Sequence, residues 1–393
     1  MFSCFKFRKQ GTSNRGESSQ PEIPDPLLWQ KELCSHSIGE FSIGIVQANQ
    51  YLEDQVLVDT WKNALFVGVF DGHGGDVAAH FVADNLLLHL IRFVKERGGT
   101  ICEDIITRAF MATDDGYFTH ARNTRDANPT ISANGSCCLV GIFWDGMLYV
   151  ANAGDSRAIV AFSSGPNKFI TEQLTQEHNA KYEDIRREMF QLHPDDSQIV
   201  IYKNGAWRVK GIAQVTRSIG DLYLKSHEFA MGPSYPRFHL AEPLSKAALS
   251  AEPTILTRPL KPEDRFFIFA SDGLWEQLSN EEAAELVFNN PRQGIAKRLV
   301  MQAIEVAARK RATDYSNLKT IQPGSRRHFH DDISVVVVFV DHELVDRLPN
   351  QSTRAVSIRG FVNNEWPSLF SLLENETEDV RTGISIEGAG SSS

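Results

Sequence analysis

Residues 64–75, ALFVGVFDGHGG, decide how the rest of the chain is interpreted. The first seven residues are apolar apart from one glycine, which predicts a strand buried in a protein core. The run stops at Asp71, and His73 then stands among three glycines. A strand suited to a core therefore delivers an acid and a histidine to a glycine-rich edge. The purpose of that arrangement depends on where the other carboxylates of the chain lie.

The composition is that of an ordinary globular protein and argues against several other classes. The 393 residues are 23% charged and 42% hydrophobic, which is enough to bury one large core or two smaller ones. No run approaches the ~18 apolar residues that cross a bilayer, and the first residues lack the apolar core of a secretory signal. Five cysteines without C-x-x-C spacing predict neither a disulfide framework nor a zinc site, and they fit a reducing compartment. The net charge of −10 gives no reason to expect a nucleic acid partner.

We expect one domain between two less ordered ends. Residues 1–25 are rich in Ser, Gly, Gln and Pro and are predicted to be disordered. Residues 26–349 contain no internal repeat or linker and are predicted to form a single domain. Residues 350–393 are expected to be loose, although their segment FVNNEWPSLFSLL could dock locally. The predicted oligomeric state is a monomer.

Two basic segments bear on the compartment, and both leave alternatives open. The N-terminal segment MFSCFKFRK suits a membrane contact or a palmitoylated cysteine, but a disordered terminus is the favoured interpretation. The segment RKRATDYSNLKTIQPGSRR suits a nuclear signal or a patch for an anionic partner, but a solvated helix end followed by a loop is favoured. We therefore expect an intracellular protein of the nucleus or the cytoplasm, with association with the plasma membrane left open.

Predicted strands come in clusters and predicted helices in pairs. Alternating or continuous apolar runs predict strands at FSIGIVQA, ALFVGVF, CCLVGIFW, MLYVANA, SRAIVAF, RFFIFAS and ISVVVVFV. Apolar residues spaced i, i+3 and i+4 predict long helices within residues 75–121 and again within residues 278–311. Ser279 and Glu282 have the spacing of a capping box, which marks a helix start. This order favours an α+β fold of packed sheets with helices outside, and not a doubly wound fold.

Acids recur at the ends of predicted strands. They are Glu53 and Asp54 after the first strand, Asp71, Asp155 and Asp272 at three later strand ends, and Asp331 and Asp332 before the last strand. Taken singly, an acid beside a glycine is ordinary turn chemistry. Strands that share a core converge, however, so acids at their ends can form one cluster. Clustered carboxylates repel one another unless protons or cations neutralise them, and cations are the favoured solution.

The donor set indicates which cations these are and what they do. Oxygen ligands without cysteine select hard divalent ions, Mg²⁺ or Mn²⁺. Two such ions bridged by one carboxylate form a site for phosphoester hydrolysis, and a histidine beside them can protonate the leaving alkoxide. The glycines around His73 would then let Asp71 and the backbone approach a metal closely.

Over residues 39–341 the chain resembles the metal-dependent Ser/Thr protein phosphatases of type 2C. Eight segments occur in the order of that family, namely LED, FVGVFDGHGG, NGSCC, ANAGDSRA, LTQEHN, VTRSIGD, FASDGLW and HDDISVVVV. The resemblance implies two packed antiparallel β-sheets flanked by helix pairs. It also implies hydrolysis of phosphoserine and phosphothreonine in proteins by direct attack of a metal-bridged hydroxide.

The resemblance further implies a role for each acid of the predicted cluster. Asp71 would bridge two ions, Glu53 and the carbonyl group of Gly72 would serve one of them, and Asp272 and Asp331 would serve the other. A weaker third ion would be shared by Asp155 and Asp272, and His73 would be the general acid. Asp54 would order water behind the metals, and Asp332 would be structural.

One position departs from the family pattern. The family often has a phosphate-binding arginine four residues before the metal-site glutamate, and this chain has Asn49 there. Charge-assisted hydrogen bonds are the strong ones, so phosphate binding is expected to be weaker but not lost. The chain looks like a plant subgroup that carries this asparagine. Similar proteins of that subgroup act on a plasma-membrane proton pump and are restrained by small auxin-induced proteins.

Alternatives remain for the function and for one arginine. A catalytically weak scaffold or binding protein is the main alternative; Asn49 favours it and the complete set of acids argues against it. Hydrolysis of small phosphoesters is a third possibility. Arg217 could help to bind phosphate, but an ion pair, with Asp221 as one candidate partner, is the favoured interpretation.

Overall fold

The computed structural model describes residues 25–165, 168–342 and 355–374. Its strands are β1 (Leu28–His36), β2 (Gly39–Val46), β3 (Gln55–Thr60), β4 (Ala64–His73), β5 (Gly135–Trp144), β6 (Met147–Ala153), β7 (Arg157–Gly165), β8 (Lys168–Gln173), β9 (Val200–Lys203), β10 (Ala206–Val209), β11 (Ile219–Gly220), β12 (Thr254–Pro259), β13 (Asp264–Ala270), β14 (Ile333–Val340), β15 (Val356–Arg359) and β16 (Glu365–Pro367). Its helices are α1 (Val77–Glu96), α2 (Glu103–Thr124), α3 (Glu183–Leu192), α4 (Asp272–Trp275), α5 (Asn280–Phe288), α6 (Ile295–Lys310) and α7 (Tyr315–Leu318). Short 3₁₀ helices lie at Pro129–Ala133, Leu222–Leu224, His227–Phe229, Arg326–His328 and Leu369–Leu373.

Most strands belong to two antiparallel sheets. The first sheet has the order β1-β2-β14-β13-β7-β8. The second has the order β12-β6-β5-β4-β3-β15-β16, and β11 also pairs with β5. In the first sheet β2 and β14 are neighbours although they come from opposite ends of the domain sequence. The first sheet is therefore complete only when distant parts of the chain meet.

Three apolar layers hold the sheets and helices together. Successive residues of a strand point to opposite faces, so β13 sends Phe267 between the two sheets and Ile268 towards Leu299 of α6. In the same way β4 sends Val67 between the sheets and Phe66 towards α1 and α2. Both strands are covered on two faces, which explains their continuous apolar sequences. The predicted α+β fold, two packed antiparallel sheets flanked by helix pairs, is confirmed.

The outer helices follow the sequence signals. Ser279 caps α5, as the capping-box spacing predicts. Its hydroxyl oxygen accepts a hydrogen bond from the backbone N–H of Glu282, and the Glu282 carboxylate accepts one from the backbone N–H of Ser279. In the described part of the chain, α1 has the length and apolar composition that could cross a membrane. It packs against the second sheet, however, and its apolar face, with Leu86 and Leu90, belongs to the protein core.

A smaller subdomain, residues 180–249, rises beside the ends of the sheets, and we call it the flap. It contains α3 and the hairpin β9–β10, and its own apolar cluster includes Met189 and Val200. β11 joins the flap to the second sheet. At the hairpin Tyr202 is 62% exposed and meets the ring of Trp207 edge-on at 5.5 Å between ring centroids. The flap therefore has a core of its own.

The described part of the C-terminal tail differs from the expectation that residues 350–393 are loose. Residues 355–374 extend the second sheet, because β15 pairs with β3 and β16 pairs with β15. The apolar segment that was expected to be able to dock locally does so within this range. The remaining residues of the expected tail, 350–354 and 375–393, lie outside the described residues.

Polar and aromatic contacts fix this C-terminal extension. The buried carboxylate of Asp59 in β3 accepts hydrogen bonds from the Ser368 hydroxyl and, at 2.9 Å, from the backbone N–H of Leu369. Burial raises the pKa of Asp59 to about 6, despite these hydrogen bonds. Trp29 of β1 stacks on Phe361 with ring centroids 6.2 Å apart. The extension therefore contacts an edge of each sheet.

The N-terminal boundary also differs from the expected one. Asp25, expected in the disordered segment, is buried, and its two oxygens each lie 2.9 Å from the guanidinium group of Arg326. Asp25 also accepts from the Tyr315 hydroxyl at 3.1 Å and from the backbone N–H of Leu27 at 3.0 Å. Residues 1–24, which include the segment MFSCFKFRK, lie outside the described residues, so neither its predicted disorder nor the membrane-contact alternative is tested.

Phe370→Ala should lower the free energy of unfolding by about 3–5 kcal/mol, since the ring is fully buried and its loss leaves a cavity. Phe370 meets Trp144 edge-on at 5.8 Å and packs in the core beneath α1. Urea denaturation followed by fluorescence measures the change. Leu372→Ala is the matched control, because that side chain lies in the same 3₁₀ helix but is 38% exposed; it should cost under about 1 kcal/mol. Equal losses in the two variants would contradict the packing of this extension.

Candidate active site

Three carboxylates converge where strands of both sheets end. Asp71 lies near the end of β4, Asp155 in the turn between β6 and β7, and Asp272 at the start of α4 just after β13. One oxygen atom of each lies within 4.8 Å of one oxygen of the other two. Asp155 lies in a turn, whereas Asp71 belongs to β4 and Asp272 to α4, so the turn interpretation holds for Asp155 among the three. The cluster interpretation holds for all three. The face-to-face packing of the sheets brings these three chain segments together.

The other predicted site residues line the same cleft, which has a volume of about 720 Å³. Glu53, Gly72 and Asp331 join the three clustered acids in its wall, and so do His73 and Asn49. Glu53 and Asp331 stand outside the tight group of three. The structure thus brings every predicted site residue to one cleft, with Asp71, Asp155 and Asp272 as its most compact part. The flap forms the opposite wall.

Asp332 holds the loop that carries Asn49 and Glu53. Its Oδ1 atom accepts from the backbone N–H groups of Ala48 at 2.6 Å and Asn49 at 3.0 Å, and its Oδ2 atom accepts from the N–H of Glu53 at 2.7 Å. Asp332 is only 2% exposed, so these three donors replace water around its charge. This agrees with the structural role expected for Asp332. The neighbouring Asp331 is left facing the cleft.

Close backbone packing beneath the acids requires a glycine at position 72. The backbone N–H of Gly72 donates to the carbonyl oxygen of Glu53 at 3.2 Å, and a Cβ atom at this position would collide with that oxygen. The loop of Glu53 and the end of β4 therefore lie in direct backbone contact. This contact keeps Glu53 close to Asp71 along the cleft wall.

The polar partners of Asp155 and Asp331 orient these two carboxylates. Asp155 accepts from the side-chain amide of Asn179 at 2.7 Å and from the thiol of Cys137 at 3.2 Å. Asp331 accepts at Oδ1 from the Asn49 amide at 3.1 Å. Neither Asn179 nor Cys137 was predicted to touch the site, although both lie in segments that carry the family resemblance.

Burial and mutual repulsion raise the pKa of most of these acids. Burial, and then the charge of Asp272, raises the pKa of Asp71 well above its ordinary value, and Asp272 is raised by burial and by Asp155. The pKa of Glu53 rises to about 7 through burial and the nearby charge of Asp332. That of Asp331 rises to about 6 through burial, although the adjacent Arg327 opposes the rise. Without a cation, the ionised form of these carboxyl groups is therefore unfavourable. A bound cation would stabilise that ionised form.

His73 has a carboxylate partner that the sequence analysis did not identify. Its Nε2 atom lies 2.7 Å from Oδ2 of Asp221, which also accepts from the Ser218 hydroxyl at 2.6 Å. Burial would lower the pKa of His73, but the charge of Asp221 outweighs it and the pKa is raised. A Cβ atom at position 135 would collide with both side chains, so the pair depends on Gly135. Asp221 therefore favours the protonated ring.

Arg217 forms an ion pair, as favoured from the sequence, but Glu188 and not Asp221 is its partner. The Nη2 atom of Arg217 lies 2.8 Å from Oε1 of Glu188, and its Nη1 atom donates to the carbonyl oxygen of Glu252 at 2.8 Å. Arg217 does not line the cleft formed by the described residues.

No spacing rule could have paired His73 with Asp221, since the two residues are far apart in the chain.

The residues of the cleft fit hard divalent cations. All the clustered ligand candidates are oxygen atoms, and their pKa values are raised by repulsion that a cation would relieve. Behind them Asp54 is 1% exposed, and its Oδ2 atom has no hydrogen-bond partner among the described residues. A buried carboxylate oxygen of this kind is costly unless water or a cation satisfies it.

Comparison with known proteins identifies the family of this fold and site. The sequence profile described as Protein phosphatase 2C matches residues 44–313. The chain belongs to the protein phosphatase 2C family. The matched segment contains Glu53, Asp71, Asp155 and Asp272 and ends before Asp331. The resemblance drawn from eight short segments is thereby confirmed at the level of the family.

Curated relatives from plants match the phosphatase over nearly its full length. "Probable protein phosphatase 2C 43" of Oryza sativa subsp. japonica is 55% identical over 356 residues, which are 91% of each chain. "Probable protein phosphatase 2C 68" of Arabidopsis thaliana is 49% identical over 383 residues, 95% of this chain and 97% of the relative. The chain is therefore similar to plant type 2C phosphatases in both sequence and extent.

Solved structures of much lower sequence identity share the fold. The crystal structure of serine-threonine phosphatase 2C from Toxoplasma gondii superimposes with a TM-score of 0.57 at 19% identity, covering 80% of this chain and all of that one. A C. elegans sex determining protein gives a TM-score of 0.56 at 18% identity, covering 80% of this chain and 67% of its own. These two likenesses concern the fold.

Family membership establishes the activity class. The chain is a metal-dependent protein serine/threonine phosphatase. This confirms the enzyme class that the family resemblance implies, and the scaffold alternative is not favoured.

Binding of Mn²⁺ to this phosphatase should release protons at mildly acidic pH. The raised pKa values, about 7 for Glu53 and about 6 for Asp331, mean that metal-free carboxyls hold protons that the ion must displace. The apparent Mn²⁺ affinity should therefore rise as the pH increases through about 6 and about 7. Calorimetric titration in two buffers of different ionisation enthalpy counts the protons. Identical heats in both buffers, with a pH-independent affinity, would contradict the raised pKa values.

Proposed function

We propose that the cleft acids hold two divalent ions, Mg²⁺ or Mn²⁺, as the resemblance implies. In this proposal Asp71 is shared between the ions, Glu53 and the Gly72 carbonyl serve one, and Asp272 and Asp331 serve the other. Asp155 and Asp272 hold a weaker third ion. The observation that carries the proposal is the convergence of Asp71, Asp155 and Asp272 within 4.8 Å of one another, in a cleft that Glu53 and Asp331 also line. Cation binding would offset the repulsion between carboxylates that lie so close together in a partly buried cleft.

The ions, when bound, would activate water for attack on phosphorus and neutralise phosphate charge. The protein's own contribution is to hold the acids in place before the substrate arrives. Asp332 fixes the loop of Asn49 and Glu53 through three backbone hydrogen bonds, and Asn179 orients Asp155. Such preorganisation removes the cost of reordering the site in each turnover.

His73 is proposed to deliver the proton that the leaving serine or threonine oxygen needs. Asp221 binds Nε2 of the ring at 2.7 Å and raises the pKa of His73, so it stabilises the ring that carries both protons. In this geometry Nδ1 is the ring nitrogen that remains to present a proton towards the cleft. Asp221 thus acts through His73 as a positioning residue.

The proposed physiological role follows the plant subgroup that the sequence resembles. Its substrates would include a plasma-membrane proton pump, small auxin-induced proteins would restrain it, and the enzyme would act in the nucleus, in the cytoplasm or at the plasma membrane. What supports this is the subgroup resemblance, with Asn49, and the plant origin of the relatives described above. Cell fractionation and dephosphorylation of purified phosphorylated pump test it. Absence from membrane fractions together with an unaltered pump would contradict it.

Asp272→Asn should reduce kcat for a phosphothreonine peptide by about 100-fold or more, because losing several kcal/mol of charge stabilisation corresponds to at least that factor. Phosphate release is measured with Mn²⁺, with Mg²⁺ and with EDTA, and circular dichroism confirms folding. EDTA should abolish release by the unaltered enzyme.

Asp126→Asn is the matched control, because Asp126 is exposed and outside the cleft, and it should keep full activity. Near-normal turnover by Asp272→Asn would contradict the assignment of that acid to the metals. Absence of release by the folded, unaltered enzyme under every metal condition would contradict the catalytic proposal as a whole.

A further inference from the structure

The acid-lined cleft has three arginines in its wall, counted among the described residues, and they differ in their surroundings. They are Arg208 and Arg237 on the flap and Arg327 on the side of the acids. Arg208 donates to the carbonyl oxygen of Ile212 at 2.9 Å, and Arg237 lies over the ring of Phe238. The guanidinium group of Arg327 instead lies 2.5 Å from Oδ2 of Asp331. Arg327 is therefore the cleft arginine that reaches the predicted metal acids.

A buried ion pair fixes the segment that carries Arg327. The preceding residue, Arg326, is fully buried and binds both oxygens of Asp25 at 2.9 Å. Arg326 and Arg327 lie together in the 3₁₀ helix Arg326–His328. Just before that helix the backbone N–H of Gly324 donates to the carbonyl oxygen of Ala48 at 2.8 Å. The segment is thus anchored both to the N-terminal edge of the fold and to the loop of Asn49.

Asn49 and Arg327 bind opposite oxygens of the same carboxylate. The Asn49 amide donates to Oδ1 of Asp331 at 3.1 Å, whereas Arg327 binds Oδ2. Asn49 is uncharged and already engaged in this contact. The side chain of Arg327 is 51% exposed, so a ligand in the cleft can still reach it. Burial opposes its charge, but attraction to Asp331, Asp272 and Glu276 outweighs this and raises the pKa of Arg327.

A phosphomonoester is a dianion that has to enter a cleft lined by carboxylates. A guanidinium group offers two parallel N–H donors that match two phosphate oxygens, which neither Asn49 nor a lysine can do. Asp331 is also a proposed metal ligand, and its Oδ2 atom cannot serve an ion and Arg327 equally. Engagement of Asp331 by an ion would leave the donors of Arg327 for an incoming anion.

We propose that Arg327 binds the phosphoryl group of the phosphoprotein substrate and supplies the positive charge that Asn49 lacks. The inference rests on the proposed metal-dependent function of this cleft. Arg327 comes from the segment before β14, whereas Asn49 follows β2, so a different part of the chain would provide the phosphate contact. The hydrogen bond between Gly324 and Ala48 places these two parts side by side.

Arg327→Ala should weaken binding of inorganic phosphate to the Mn²⁺-loaded enzyme by about 10- to 100-fold, the range expected for a lost charge-assisted contact. Calorimetry measures phosphate affinity directly, and phosphate inhibition of peptide turnover gives a second value. KM for the phosphothreonine peptide should rise with it, while Mn²⁺ affinity should stay the same or increase, because a competitor for Asp331 is removed. Arg327→Lys should recover part of the phosphate affinity.

Arg92→Ala is the matched control. Arg92 forms an ion pair with Glu96 at the same i, i+4 spacing, on α1 and outside the cleft, and its loss should change none of these values. An Arg327→Ala enzyme whose phosphate affinity equals that of Arg92→Ala would overturn the proposal. A parallel fall in Mn²⁺ and phosphate affinity without recovery in Arg327→Lys would also overturn it, because Arg327 would then only orient Asp331. Failure of the unaltered enzyme to release phosphate with any metal would instead contradict the function itself.

Discussion

The mutual repulsion of carboxylates at the strand ends is the constraint on which the rest of this structure depends. Asp71, Asp155 and Asp272 lie within 4.8 Å of one another in a partly buried cleft, which ions of one sign do not adopt unaided. Two large sheets packed through an apolar layer supply the rigidity, because the segments that carry the three acids continue directly into strands of these sheets. The fold thus holds these carboxylates close together, and the proposed divalent ion would relieve their repulsion.

Polar side chains behind the cleft fix the positions of the residues that line it. Asp332 is buried and spends both oxygens on backbone N–H groups of one loop, so it cannot compete with Asp331 for a role in the cleft. On the flap side, the buried Asp221 forms hydrogen bonds with His73 and Ser218. In both cases hydrogen bonds satisfy a buried acid, and the same bonds fix the position of more exposed residues of the cleft. Around the cleft, the described acids therefore differ in role: Asp332 and Asp221 position other residues, whereas the acids that line the cleft are those proposed to hold a cation.

Local patterns in the sequence predicted most of the strands, the helix pairs and the residues of the cleft. Apolar runs bounded by acids are visible in one segment at a time. Asp71 and Asp272 follow such runs and Asp331 comes shortly before one, which is why these acids could be named in advance. The bond between His73 and Asp221 could not, since it joins residues far apart through a left-handed turn at Asp221. The C-terminal extension was underestimated for a related reason. Its strands are very short, and they are stabilised by β3 and by Asp59, not by a periodic pattern of their own.

The position of β14 has a consequence for the order in which the enzyme can be made. A chain leaves the ribosome N-terminus first, so β2 emerges long before β14, the strand that separates it from β13 in the finished sheet. Until residues 331–340 are available, one edge of β2 has no partner, and Asp331 is absent from the wall of the cleft. Synthesis of almost the entire domain must therefore precede closure of the first sheet. A translation product that ends before residue 331 lacks one of the acids that are proposed to hold the metal.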